Sequence, residues 1–423
     1  MAVNICIYED THFDQFYPLT YFRPVFLLRP GILPLFEQTK LVFRDCAISF
    51  SCRTQISSLT GDEARDIPVN IIKKGQGDIL FLNGRIKDFA DLPQLIEGCR
   101  LTTIFKNGQD IIGVLFKDEA LVKVPDLTTP EIFGEILPTQ KSVSAEYDTK
   151  ATLYNHLWEL VDEIPSAIAA DFGRLNAEQT SQNKIKVHEG AHFINEDDIH
   201  LSDEVEIFPT AVLDASSGPI YVGPFTTIRP QATIVGPCYI ANNCTLYRGL
   251  ISGSSIGPNC RVGGEVECSI FQSYVNKYHD GFIGHSYVGS WVNFGAMTTN
   301  SDLKNNYSNI RVSQNGQEID TGSIKVGSFI GDFCRFGIGT MLNTGISVGV
   351  SSNIFGGSLI TDKEIKPFSW GSSGSYERYD IDKAIDTAET VCSRRDCLLP
   401  TQSSELLRAI FNGESLSKGA LDF

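Results

Sequence analysis

The sequence predicts an α/β domain followed by a parallel β-helix and short C-terminal helices, and three observations support this. The first is a six-residue beat of aliphatic or aromatic residues. It runs through Val222, Ile228, Ile234, Ile240 and Leu246, then Phe282, Val288 and Phe294, then Ile324, Ile330, Phe336, Leu342, Val348, Ile354 and Ile360. A helix repeats every 3.6 residues and a half-buried strand every two, so neither makes this pattern. Short strands joined by tight corners do, three to a coil, each sending one bulky side chain inward. The second is the corners themselves: Val222-Gly223-Pro224, Ile256-Gly257-Pro258-Asn259, Val348-Gly349-Val350 and Ile354-Phe355-Gly356-Gly357. The third is that the beat is absent early in the chain, where short apolar runs alternate with helical stretches.

Residues 1–148 read as the α/β domain, with strands at Val3–Tyr8, Ile79–Leu82, Thr102–Phe105 and Ile111–Phe116. Residues 149–182 read as a helical linker. Leu153, Leu157, Leu160 and Val161 fall on one face, and Pro165 starts a second helix, where its missing N–H costs nothing. The β-helix occupies residues 183–370, with a looser lead-in containing Val205, Ile207 and Val212 and a polar insertion from Asn300 to Thr321. Residues 371–423 supply two helices, Ile381–Arg395 and Ser403–Phe411, expected to cap the last coil and hide its edge.

The formal net charge of −16 over 423 residues argues against general binding to nucleic acid. The first residues contain no basic segment followed by an apolar stretch, and no run approaches membrane-spanning length, so a cytoplasmic protein with no membrane partner is expected. Eleven cysteines are scattered with no C-x-x-C pair, which speaks against zinc-finger or redox motifs. Cys238 and Cys244 keep the six-residue spacing and read as small inward packers.

The chemistry concentrates between Lys277 and Asn306. His279 and His285 stand six apart, at equivalent corners of adjacent strands. A histidine titrating near neutrality suits a general base that removes a proton from an amine or hydroxyl attacking a thioester. Gly295-Ala296 and Thr298-Thr299-Asn300 offer donors for a narrow groove. Either histidine can serve as the base, and either can simply satisfy a turn.

This stretch resembles the hexapeptide-repeat acyltransferases, in particular the acetyltransferase half of bifunctional N-acetylglucosamine-1-phosphate uridyltransferase/glucosamine-1-phosphate acetyltransferases. His279 stands fourteen residues before Asn293, and Asn293-Phe294-Gly295-Ala296 follows the family's run. The resemblance implies a left-handed parallel β-helix, a homotrimer with sites between neighbouring helices, and acetyl-CoA as acyl donor. It puts His279 in the place of the general base, and Arg229, Phe282 and Asn293 at acceptor-binding positions. Ala296, Asn300 and Ser301 fall at acyl-CoA-binding positions. Two positions depart from the pattern: Phe282 replaces a tyrosine, and Glu267 stands near the place of a lysine. Both changes move preference from a sugar phosphate toward an amine on another carrier.

Nearly the whole chain resembles a variant group in which a reduced, Rossmann-like nucleotidyltransferase domain precedes the β-helix. The residues are Tyr17-Pro18-Leu19-Thr20-Tyr21-Phe22-Arg23-Pro24, Leu82-Asn83-Gly84-Arg85, the stretch Gly281 to Asn293, and Ile365-Lys366-Pro367-Phe368-Ser369-Trp370-Gly371. Sugar-nucleotide pyrophosphorylases hold a nucleoside triphosphate on a Gly-rich loop and Mg²⁺ on a Gly-Asp pair. Here Glu9 and Asp10 follow the first strand, and Asn83-Gly84-Arg85 stands where the Gly-Asp pair belongs. Arg23 and Arg29, with Asn83 and Arg85, are the candidate nucleotide-binding residues, and Asp10 is the candidate Mg²⁺ ligand.

Three functions follow as expectations. One is acetylation of an amino-sugar phosphate, with nucleotidyl transfer by the first domain. The second is acylation of a nucleotide-linked amino sugar beside a degenerate first domain. The third is a non-catalytic trimeric scaffold.

Overall fold

The computed structural model describes residues 3–72, 75, 77–121, 143–176 and 184–413. The end of the expected linker (177–182), Asn183 and the tail 414–423 lie outside them. Among the described residues, eight strands build the first part: β1 (Asn4–Tyr8), β2 (Ile48–Ser51), β3 (Ile79–Asn83), β4 (Ile86–Asp88), β5 (Thr103–Asn107), β6 (Asp110–Phe116), β7 (Ala145–Asp148) and β8 (Thr152–Leu153). Six of them form one mixed sheet in the order β2-β1-β3-β6-β5-β7, and β4 pairs with β8. All five residues of β3 are buried, as expected for a strand covered on both faces. The four predicted strands appear with their ends within two residues of the predicted positions. Strands β2 and β7 escape prediction because Ile-Ser-Phe-Ser and Ala-Glu-Tyr-Asp are too short and too polar to stand out. Helices α1 (Leu35–Val42), α2 (Thr54–Glu63), α3 (Leu92–Gly98) and α4 (Asp118–Leu121) alternate with the strands.

Helices α5 (Leu157–Asp162) and α6 (Ile164–Asn176) follow, with Pro165 as the second residue of α6. Leu157, Leu160, Val161, Ile164 and Ile168 are buried in one cluster with Ile270, Tyr287 and Phe329 of the β-helix. Three residues of the predicted amphipathic face, Leu157, Leu160 and Val161, thus dock the two parts together, whereas Leu153 lies in strand β8, not in a helix, and packs with Leu80 and Leu82 of the first domain.

The β-helix stacks parallel strands on three faces. The best-defined face runs Ile199–Leu201, Ile220–Val222, Cys238–Ile240, Ser255–Ile256, Ile270–Phe271, Tyr287–Val288, Ser328–Ile330, Ile346–Val348 and Glu364–Ile365. Most of the beat points inward, as do Cys238 and Cys244. Phe282 and Ile324 do not: Phe282 is only half-buried while its neighbour Ile283 is buried, and Ile324 is exposed. Coil length explains the first exception. The stacked pairs Ile240–Ile256, Ile256–Phe271 and Phe271–Val288 are separated by 16, 15 and 17 residues, so the phase drifts and is regained only at Val288, 48 residues on. Ile324 lies beyond the predicted end of the insertion at Thr321, but the excursion from the coils closes only at the Leu303–Lys325 bridge, so Ile324 is still outside them.

That insertion is not featureless. It carries an antiparallel hairpin, Arg311–Gln314 with Gln317–Asp320, turning at Asn315 and Gly316, both at positive φ. The Gln314 side chain donates to the Gln15 carbonyl, and Asn315 Nδ2 to Asp14 at 3.3 Å, so the hairpin straps the first domain. At the far end, Ser369–Ser372 pairs antiparallel with Ser375–Arg378. This hairpin continues the sheet of one face at the last coil, where the sequence predicts helices capping the edge. Helices α7 (Ile381–Ser393) and α8 (Thr401–Phe411) instead share a cluster with Phe50 and Ile56 of the first domain and with Val350 and Phe368 of the β-helix, bridging the two.

Candidate functional site

Arg229, Tyr247, His279 and Ala296 come from four different coils, yet they line one cavity of about 440 Å³ on a corner of the β-helix. Parallel stacking does this: residues one coil apart in sequence lie next to each other along the corner, as when Met297 N–H donates to the Asp280 carbonyl at 2.9 Å. His279 is exposed, and its ring meets Tyr278 edge-on at 4.6 Å. Its carbonyl accepts a 2.6 Å hydrogen bond from Lys277 Nζ, which also donates to the Gly263 carbonyl at 3.0 Å. Burial pushes the Lys277 ammonium down to about 8, against the opposing charge of Asp280. Gly264 sits at φ +71, and a Cβ there would lie 2.7 Å from the His279 carbonyl oxygen. The main chain carrying the histidine is therefore gripped from two sides. Across the groove, Arg248 pairs with Asp280 at 2.7 Å, and the Arg229 guanidinium lies 4.9 Å over the Phe208 ring.

Four other expected residues are elsewhere. Asn293 lies outside the groove lining, on the strand that leads to Ala296, where its Oδ1 accepts from Asn276 at 2.7 Å. Phe282 N–H donates to Thr299 Oγ1 at 3.4 Å, outside the groove lining. Asn300 is buried within the coils, accepting from Gly284 N–H and donating to the Gly284 carbonyl, Ser286 and Ser328. Ser301 Oγ donates to the Leu303 carbonyl. Sequence reading missed Lys277, Tyr247 and Tyr278, because nothing local distinguishes a groove-lining tyrosine from a surface one.

His285 occupies the next corner of the same coil, where its Nδ1 lies 2.7 Å from Asp302 Oδ2. Burial opposes charge on this ring, but hydrogen bonds to Asp302 and Cys268 outweigh it and lift its pKa to about 9.

In the first domain, Asp10, Asn83 and Arg85 do come together, but as a closed unit. Arg85 donates to the Asp10 carboxylate from Nε at 2.9 Å and from Nη2 at 2.6 Å, and Asn83 Nδ2 donates to it at 2.9 Å. Burial alone would raise the Asp10 pKa, but hydrogen bonds from His12, Arg85 and Asn83 and the Arg85 charge hold it well below the usual carboxylate range. These residues do not fit the expected Mg²⁺: a guanidinium already neutralises the one candidate carboxylate, and a second cation beside it would be repelled. Nor is Arg23 open to a nucleotide. It is buried, donating to Asp332 at 2.8 and 3.1 Å and to Ser290 at 3.3 Å, so it joins the first domain to the β-helix. Arg29 lines a separate cavity of about 450 Å³ at the junction of the first domain, the β-helix and the C-terminal helices, and its main chain is held by the Tyr287 hydroxyl. No helix among the described residues is long and apolar enough to cross a membrane.

Comparison with known proteins finds partial matches. Residues 5–180 match the family model described as sugar nucleotidyl transferase. A bifunctional sugar-1-phosphate nucleotidylyltransferase/acetyltransferase of Sulfurisphaera tokodaii is 29% identical over 114 residues, 27% of this chain and 27% of its own. The bifunctional protein GlmU of Methanococcus vannielii is 27% identical over 150 residues, 36% of this chain and 31% of its own. The matches thus span less than a third of each of these relatives. Among solved structures, a UDP-N-acetylglucosamine acyltransferase from Campylobacter jejuni aligns over 53% of this chain and 95% of its own, at 15% identity and a TM-score of 0.32. Residues 5–180 are thus similar to the sugar nucleotidyl transferase family, and segments of the chain are similar to parts of bifunctional sugar-1-phosphate nucleotidylyltransferase/acetyltransferases.

Proposed function

We propose that this chain is an acyltransferase of nucleotide-sugar metabolism, moving an acetyl group from acetyl-CoA to the amine of an amino sugar. The observation that supports it best is that Arg229, His279 and Ala296 line one cavity of about 440 Å³. In this reading His279 takes a proton from the acceptor amine as the nitrogen lone pair attacks the thioester carbonyl, and the CoA thiolate leaves. Gly295 and Met297 spend their N–H groups on the Phe336 and Asp280 carbonyls, which leaves that of Ala296 for the developing oxyanion. Arg229 and Arg248 supply positive charge for the phosphate of an amino-sugar phosphate or a nucleotide-linked amino sugar. Met297 and Ile338, neighbours on successive coils, are 59% and 78% exposed. A second β-helix covering them would close the groove, so a homotrimer is part of the proposal.

The first domain has a different part in this reading. With Asp10 tied to Arg85 and Arg23 tied to Asp332, it holds the β-helix in place, and nucleotidyl transfer is not assigned to it. The test is a screen for CoA release from acetyl-CoA across amino-sugar phosphates and nucleotide-linked amino sugars, with His279→Ala as control. Release from no acceptor, or undiminished release by the variant, sinks the proposal. The acceptor that works decides between the two substrate classes.

A further inference from the structure

A second group of reactive side chains lies one corner away from His279 and is not used by the acyl-transfer reading. Among the described residues, Glu267, Cys268 and His285 converge so that one carboxylate oxygen, the thiol sulfur and one ring nitrogen all lie within 4.8 Å of one another. Cys268 and His285 are seventeen positions apart, one coil, and main-chain bonds hold the stack: Cys268 N–H to the Ser252 carbonyl at 3.0 Å, His285 N–H to the Glu267 carbonyl at 3.0 Å. The geometry points to a site for a thiophilic divalent cation, Zn²⁺ in preference, ligated by Glu267, Cys268 and His285.

Three features favour a cation over a chance cluster. His285 commits Nδ1 to Asp302 at 2.7 Å, which orients the ring and leaves Nε2 to ligate, the carboxylate–histidine–metal arrangement of zinc proteins. Two glycines keep the space open. A Cβ at Gly253 would stand 3.2 Å from Cys268 Sγ, and one at Gly284 would stand 2.7 Å from Asp302 Oδ2. The charge also fits: Glu267 already attracts a cation, Lys325 Nζ, at 3.5 Å across a partly exposed gap that a metal ion can take over. Three protein ligands of mixed S, N and O type with one position open to water match a four-coordinate site better than a closed structural one. Binding would release the Cys268 thiol proton and any proton on His285 Nε2.

The experiment titrates the reduced, full-length chain with Co²⁺ and then displaces it with Zn²⁺. The expected result is one Co²⁺ per chain, with a near-ultraviolet thiolate-to-cobalt band and intense visible bands of four-coordination, all lost on adding Zn²⁺. Cys268→Ser should abolish the near-ultraviolet band. Asp302→Asn should weaken affinity by roughly ten- to a hundredfold, and His279→Ala should leave the spectrum unchanged. If Cys268→Ser fails to fold, Glu267→Gln serves, with an expected affinity loss of at least about tenfold for one ligand of three. Absence of one-to-one binding, or a thiolate band that survives in Cys268→Ser, overturns the proposal. Because the readout is spectroscopic, failure here leaves the acyltransferase reading untouched, and the converse also holds.

Discussion

Arg23 and Asp332, 309 residues apart, form a two-point ion pair buried between the first domain and the β-helix, at 2.8 and 3.1 Å. Asp332 Oδ1 also accepts from the Ser290 N–H, so the carboxylate is satisfied from both sides. Removing one partner leaves the other charged in a dry interface. Arg23→Met is therefore expected to cost about 3–5 kcal/mol, and the double variant with Asp332→Leu to recover much of it. Denaturant unfolding of the two variants checks this. Equal stability of Arg23→Met and the parent would show that the pair contributes nothing at the interface.

For His279, removal of the imidazole with retention of the fold is the useful test, because the side chain is exposed and supports no core. His279→Ala should lower acetyl transfer by roughly 10²- to 10⁴-fold, the usual share of a general base. Its melting temperature should stay within about a degree of the parent. Gly264→Ala should also lower activity, by displacing the main chain of His279, but with a loss of stability as well.

Lys277 makes a pH prediction. Burial depresses its ammonium from 10.5 to about 8 in the folded chain. Between those values the unfolded chain binds the extra proton, so stability should rise with pH across that window and be flat on either side. The size is on the order of a few kcal/mol, at about 1.4 per unit. Chemical unfolding from pH 7 to 11 measures it, and Lys277→Met should flatten the rise. A slope shared by that variant belongs to other groups.

The Asp10–Arg85 pair predicts that nucleotides and Mg²⁺ leave the first domain unmoved. Calorimetry with UTP and Mg²⁺ should give no heat, and Mg²⁺ alone no thermal shift. Arg85→Gln should destabilise the chain by up to about 3–5 kcal/mol, since it strands the Asp10 carboxylate, whose side chain is 14% exposed. Heat from UTP that depends on Mg²⁺ in the parent protein would restore a working nucleotide site.

By itself the sequence determined the architecture of the second half, because an inward side chain every six residues satisfies only short strands wound in coils. Val222 through Leu246 and Val288 through Phe294 are buried as that logic requires. It also brought His279, Arg229 and Ala296 to notice, since a resemblance is carried by order and spacing along the chain. Phe282 shows where counting fails: coils of 15 to 17 residues break the six-residue phase, and only strand pairing records that.

Tertiary structure decided the partners of charges. Arg23, Asp10 and Arg85 read as groups free to meet a nucleotide or a metal, and each is already neutralised by a group that distance in sequence hides. The same holds in the other direction for Glu267, Cys268 and His285. No short motif marks them, because a coil places residues seventeen apart side by side while a linear metal motif relies on neighbours two to four apart. Periodicity reports which way side chains face. Electrostatic pairing depends on which distant side chains those faces bring together, and only the folded chain specifies that.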